Sequence, residues 1–125
     1  VSLVLKDKKR LIGFKFAWRG LVEVFKEERN FKVHVTITLL VIITGFCVKL
    51  STLEWTIIFL VISHVLVAEV FNSVIERVID YIKPDIHPLA RSIKDIAAGS
   101  VLIATMFAIV IGAIILLPKI YLFFN

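Results

Sequence analysis

Apolar and polar positions fall along this chain in blocks, and the spacing within each block predicts helices. From about Lys9 to Arg29 the residues Leu11, Phe14, Trp18, Leu21, Val22 and Phe25 recur at helical intervals, with Lys15, Arg19, Glu23 and Lys26 beside them. At about 100° per residue those apolar side chains share roughly 100° of arc, the pattern of a basic amphipathic helix suited to a headgroup layer. Residues 1–8 read as a frayed polar start. Arg29 and Asn30 end this helix or bend it into a first apolar run, Val33 to Val48, free of charge apart from the titratable His34. At about 1.5 Å of rise per residue that run is about 24 Å long, somewhat short of a hydrocarbon core of about 30 Å.

Lys49, Ser51 and Thr52 make an outward turn, with Ser51 or Thr52 as N-cap. The second span then runs from about Leu53 to Tyr81 or Ile82, with Trp55 as an interfacial anchor. Lys83-Pro84-Asp85 stops it, since proline biases the preceding residue away from helical angles. A connection containing a second proline, Pro88, leads to a third helix from about Ala90, whose uncharged run Ile96 to Pro118 is 23 residues long. Ala97-Ala98-Gly99-Ser100 and Gly112-Ala113 permit close helix approach, and Tyr121, Phe123 and Phe124 suit an interface. The expected architecture is an all-α integral membrane protein in a single domain, 1–125. It has a surface helix over about 9–29 and spans over about 31–49, 53–82 and 90–120.

Composition agrees. Of 125 residues 59% are hydrophobic, above the roughly 45–50% of soluble domains. Placement of charge says more than the net +5. Of the Lys and Arg residues, nine lie in Val1–Lys32 and four in Arg77–Lys94, leaving only Lys49 and Lys119. Basic flanks are retained on the cytoplasmic side, so the N-terminus and the 77–95 connection face the cytoplasm of a multi-pass protein of the bacterial plasma membrane. Basic residues that flank spans in this way give no nucleic-acid face. The lone Cys47 excludes an internal disulfide and a Cys-based metal site, and reads as a small buried hydrophobe. The first 32 residues, charged throughout, hold no cleavable signal peptide.

Candidate chemistry concentrates in the second span. Taking Glu69 as origin, Asn72, Glu76 and Asp80 fall at roughly −60°, −20° and +20°, a polar stripe about 16 Å long on one helix face. Like charges stacked this way need divalent cations or basic partners to compensate them. Carboxylates with no further Cys and few His favour hard, oxygen-liganded cations such as Mg²⁺, which usually serves phosphate chemistry. Glu69, the deepest, is best placed to take a proton from a lipid hydroxyl. The same stripe also reads as solvated surface, or as ion-pair partners of a neighbouring helix. Asn72 alone reads as an interhelical hydrogen-bonding residue. His64 reads as a packed histidine, His34 stays open, and His87 in the polar connection is the better ligand contact. No glycine-rich phosphate loop is present, so a nucleotide would be held by side chains and helix ends.

Two motifs then carry a resemblance. Glu69…Asn72-Ser73…Ile75-Glu76…Asp80 is followed by His87-Pro88-Leu89-Ala90 and Lys94-Asp95-Ile96-Ala97-Ala98. Together they resemble the signatures of the prokaryotic diacylglycerol kinase family over roughly residues 10–118, with Phe71, Val74 and Ile79 departing in bulk. The run Glu28-Arg29-Asn30-Phe31-Lys32-Val33-His34 and the ending Leu116-Leu117-Pro118-Lys119 look most like the undecaprenol kinase branch.

The resemblance implies a homotrimeric kinase with active sites built from neighbouring subunits, using ATP and Mg²⁺ to phosphorylate undecaprenol or, alternatively, diacylglycerol. It makes Glu69 the general base, with Asn72 orienting it, and Glu28 and Glu76 the metal ligands. Lys94, Asp95, Asp85 and His87 fall near the nucleotide, although Ile86 stands where an aromatic is expected. Arg10, Trp18 and Ala98 line the lipid's path. A non-enzymatic ion pathway would need acidic residues continuing between Trp55 and Ala68 or between Ile96 and Pro118, and there are none. A structural membrane subunit is the other non-enzymatic alternative.

Overall fold

A computed structural model describes residues 2–125 and resolves four helices: α1 (Ser2–Glu27), α2 (Arg29–Val48), α3 (Thr52–Ile82) and α4 (Pro88–Phe124). The last three are long and apolar enough to cross a membrane, as the blocks of apolar residues predict. The N-terminal start differs from expectation. Residues 2–8 are helical, because no glycine or proline precedes Gly13 and lysines and leucines propagate a helix well.

Between α1 and α2 a single residue, Glu28, is extended, with φ −101° and ψ 110°. Its backbone groups stay paired across the bend: its N–H donates to Val24 C=O at 2.8 Å, and its C=O accepts from Lys32 N–H at 3.2 Å. Val24 and Phe31 are buried on either side, and Phe25 meets Phe31 edge-on at 6.5 Å between ring centroids. The elbow is thus closed by an apolar contact, and Glu28 sits at its apex.

At the opposite end, Lys49 adopts a left-handed conformation (φ 57°), and Lys49 and Leu50 both donate their N–H groups to Gly45 C=O. Ser51 caps α3 as its sequence predicts. Its Oγ accepts from Glu54 N–H at 3.2 Å, and its own N–H donates to Glu54 Oε1 at 2.9 Å, forming a capping box. Lys119 Nζ, 2.7 Å from Glu54 Oε1, ties the far end of α4 to this turn. Trp55 packs against Phe46 and Phe59 and over Gly45, where an added Cβ would stand 2.6 Å from the indole and 2.9 Å from Leu50. Gly45→Leu is therefore expected to lower the melting temperature of the purified protein by several degrees, from about 1–3 kcal/mol of overpacking. Gly13→Ala, with nothing within 4 Å of the new carbon, should not lower it. Equal melting temperatures for both variants would refute the role given to Gly45.

α3 and α4 form the most extensive contact of the bundle, and the buried residues are Ile58, Val65, Glu69, Asn72 and Ser73 on α3 and Ala97, Val101 and Ala104 on α4. Of the small-residue stretches expected to permit close approach, Ala97 is buried, and Gly112 and Ala113 line a cavity between the helices. An added Cβ at Gly99 or Gly112 would meet nothing within 4 Å. α4 begins at Pro88 because His87 Nδ1 accepts Leu89 N–H at 3.1 Å and caps it, with proline at the first helical position. The helix runs on through Pro118 to Phe124.

Two further expectations are corrected. Cys47 is exposed, because α2 buries only Phe31 and Gly45 against its neighbours. His64 is also exposed within the single chain, since it lies roughly 80–140° around α3 from Ile58, Glu69 and Asn72 on the packed face.

Candidate active site

The most deeply buried residues of the molecule include three polar ones in succession on α3: Glu69, Asn72 and Ser73, exposed by 2%, 5% and 1%. Helical periodicity explains the grouping, since residues three and four apart share a face. Ser73 is satisfied by donating its hydroxyl to Glu69 C=O at 3.1 Å. Asn72 donates Nδ2–H to Glu76 Oε1 at 3.5 Å, and its Oδ1 is buried with no partner. An orphaned buried acceptor is uncommon in a folded protein.

Around Glu69 the structure gathers two of the predicted carboxylates. The charges of Glu76, on the same face of α3, and of Glu28, at the elbow, both act on it. His34 Nε2, at 3.8 Å from Glu69 Oε2, is the one basic group within 4 Å of it among the described residues. That distance is beyond a hydrogen bond. Glu76 has no basic partner within 4 Å among the described residues. Glu28 shares Arg77, which lies 3.7 Å from it, 3.2 Å from Glu23 and 2.9 Å from Glu27. No three His, Cys, Asp or Glu residues among those described enclose a metal by themselves. The cluster offers oxygen donors from few side chains, an open arrangement that leaves positions for water or phosphate oxygens.

The α3–α4 connection brings a second group together. Lys94 pairs with Asp80, and Lys83 stands 3.9 Å from Asp85. With His87 and Arg91 they line a pocket of about 150 Å³. Because His87 Nδ1 is used as a cap, its Nε2 remains for other contacts. Asp95 is not brought in, being exposed and paired with Arg91 at 3.3 Å.

A third feature is an apolar cavity of about 290 Å³ between α2, α3 and α4, with His34 at the end nearest Glu69. Arg10, Trp18 and Ala98 are exposed and line neither this cavity nor the loop pocket. The pattern did not single out Arg77, nor give His34 and Asp80 a role. The signal for Arg77 was weak: Glu23 and Glu27 stand four residues apart on α1, but Arg19 and Lys26 at helical spacing from Glu23 already offer it cations within the same helix.

Comparison with known proteins fits this geometry. The family model for prokaryotic diacylglycerol kinase matches residues 15–116. An undecaprenol kinase of Bacillus subtilis (strain 168) is 43% identical over 107 residues, covering 86% of this chain and 87% of the relative. A diacylglycerol kinase of Synechocystis sp. is 33% identical over 109 residues, 86% of this chain and 62% of the relative. A diacylglycerol kinase of Escherichia coli (strain K12) is 27% identical over 101 residues, 81% and 83% of the two chains. The buried carboxylate on an apolar helix, the acidic elbow and the basic loop pocket thus occur in a chain that belongs to the prokaryotic diacylglycerol kinase family, a family of membrane lipid kinases.

Proposed function

We propose that the chain is an ATP- and Mg²⁺-dependent kinase that phosphorylates undecaprenol at the cytoplasmic face of the plasma membrane. The observation that carries this is Glu69, a carboxylate only 2% exposed within an apolar bundle and on the same face of α3 as Asn72 and Glu76. A buried base of this kind meets a hydroxyl that arrives through lipid, not through water. Glu69 takes the proton of the lipid alcohol as its oxygen attacks the γ-phosphorus. The bond from that phosphorus to the bridging oxygen of ADP breaks, and ADP leaves. Asn72, which reaches Glu76 through Nδ2, keeps Oδ1 for orienting the reacting groups.

The donors fit Mg²⁺. Among the described residues Glu76 has no basic partner within 4 Å and Asn72 Oδ1 is unpartnered, and Arg77, next to Glu76 in sequence, reaches Glu28 at 3.7 Å. When bound, Mg²⁺ neutralises charge on the ATP phosphates. Glu28 and Glu76 would hold it, and Lys94, Asp85 and His87 would hold the nucleotide from the loop pocket, with Asp95 reaching it only through its partner Arg91. Arg10, Trp18 and Ala98 guide the lipid.

The basic, apolar-striped α1 lies on the inner leaflet, which sets the N-terminus and the site in the cytoplasm. Leu60, His64, Val67, Phe71, Val74 and Val78 are exposed at alternating spacings of four and three along α3, roughly opposite Glu69. Such a seam suits packing against further copies of the chain, in a homotrimer whose sites are shared between subunits.

Radiolabelled phosphate transfer from ATP to undecaprenol and to diacylglycerol, on one purified sample in detergent micelles, tests the reading. Faster transfer to undecaprenol is expected, matching the Bacillus subtilis relative. Preference for diacylglycerol would move the substrate to the one named for the other relatives, and inactivity on both would sink the kinase assignment.

A further inference from the structure

Arg77 is the one lysine or arginine within α3. Its Nη1 lies 3.2 Å from Glu23 Oε1, and its Nη2 lies 2.9 Å from Glu27 Oε2 and 3.7 Å from Glu28 Oε1. The planar guanidinium therefore divides its two ends between successive turns of α1 and the elbow that follows, a directional arrangement that an ammonium cannot reproduce. The three carboxylates need it. They crowd the C-terminal end of α1, where the helix dipole disfavours negative charge, and they repel one another.

α1 has little else to hold it. Among the described residues Val24 is its one member of the buried core, while Leu11, Phe14, Trp18, Leu21 and Phe25 remain exposed. Glu28, in turn, is the only non-helical residue between α1 and α2, so wherever the end of α1 goes, Glu28 goes with it. Arg77 directly follows Glu76 in sequence, so the same turn of α3 that presents Glu76 also grips the helix that presents Glu28.

We propose that Arg77 is a positioning residue, a clasp on Glu23 and Glu27 that fixes the elbow and thereby holds Glu28 in register with Glu76 and Glu69. The proposal rests on the reading of Glu28 and Glu76 as metal-holding carboxylates. It makes a signed prediction that simple charge screening does not. Removing a nearby cation tightens cation binding if Arg77 merely neutralises the acids, and weakens it if Arg77 places them.

The test uses the full chain in micelles with Mn²⁺ as probe, its binding followed by electron paramagnetic resonance without ATP or lipid. Arg77→Gln is expected to weaken Mn²⁺ binding about tenfold, the low end for loss of an outer support to a metal ligand. Arg77→Lys should recover only part of that loss. Distances between spin labels at Lys15→Cys and Tyr81→Cys, in a Cys47→Ser background diluted with unlabelled chain, should be narrowly distributed. They should broaden alike in Arg77→Gln and in the Glu23→Gln/Glu27→Gln double variant, which leaves Arg77 and the site carboxylates in place. Unchanged distances, or unchanged or tighter Mn²⁺ binding in Arg77→Gln, overturn the clasp while leaving the kinase reading intact. A wild-type chain that transfers no phosphate overturns the kinase reading, and the label distances still decide the clasp.

Discussion

Glu69→Gln is expected to abolish lipid phosphorylation, with a fall in turnover of about 10²–10⁴-fold, the range for losing a positioned general base. Glutamine keeps the volume and one oxygen of glutamate, so the change removes proton-accepting ability and little else. Truncation to alanine would be a poorer probe, because Glu69 is only 2% exposed and a cavity would add a packing defect. The groups assigned to the nucleotide lie in the loop pocket with Asp80, Asp85, His87 and Lys94, so ATP binding should survive. Initial rates of phosphate transfer and binding of a fluorescent ATP analogue, taken on the same micelles, check both halves. Wild-type turnover in this variant would rule out Glu69 as the base, whatever the identity of the lipid.

Glu76→Gln should come next in size, slowing transfer on the order of 10²-fold at fixed Mg²⁺, as expected when a preorganised electrostatic group is lost. Raising Mg²⁺ should restore part of the rate. The variant separates chemistry from architecture, because the two respond in opposite directions. Glu76 has no basic partner within 4 Å among the described residues, and it shares a face of α3 with the buried carboxylate of Glu69, about two turns away. Neutralising it relieves like-charge repulsion, and glutamine still presents an oxygen to Asn72 Nδ2. A melting temperature held or raised, together with a slowed reaction, is therefore the expected pair of results. A variant that is more stable and equally fast would show Glu76 to be a tolerated surface acid with no part in the reaction.

Most of the helical plan was legible in the sequence, for a reason particular to membranes. A span must satisfy its backbone internally and exclude charge over its length, so its limits are written as charge boundaries. The Ser51 cap could be read because capping chemistry is local. What could not be read was rotation about each helix axis. Cys47 and His64 lie in apolar runs whose every position looks like core, yet α2 and α3 turn them away from their neighbours.

The site divided along the same line. Glu69, Asn72 and Glu76 share a face through local periodicity and were found by it. Glu28 was joined to them by resemblance, and the structure sets it at the elbow, 3.7 Å from the Arg77 that follows Glu76. Arg77 meets Glu27 across 50 residues of chain, a pairing that no spacing rule within one helix contains. His87 was singled out for ligand contact, and the structure adds its service as the cap of α4, a duty that fixes which ring nitrogen is free.

The unequal helix lengths have a mechanical consequence. α2 has 20 residues, against 31 in α3 and 37 in α4, so at about 1.5 Å per residue it measures about 30 Å and its neighbours overhang it. It is pinned at one end by the tryptophan-packed hairpin and at the other by the elbow, and so serves as the ruler that sets how far down α3 the acidic apex arrives. Lengthening that ruler by one turn would slide Glu28 about 5.4 Å past its counterparts on α3 without altering a single reactive side chain.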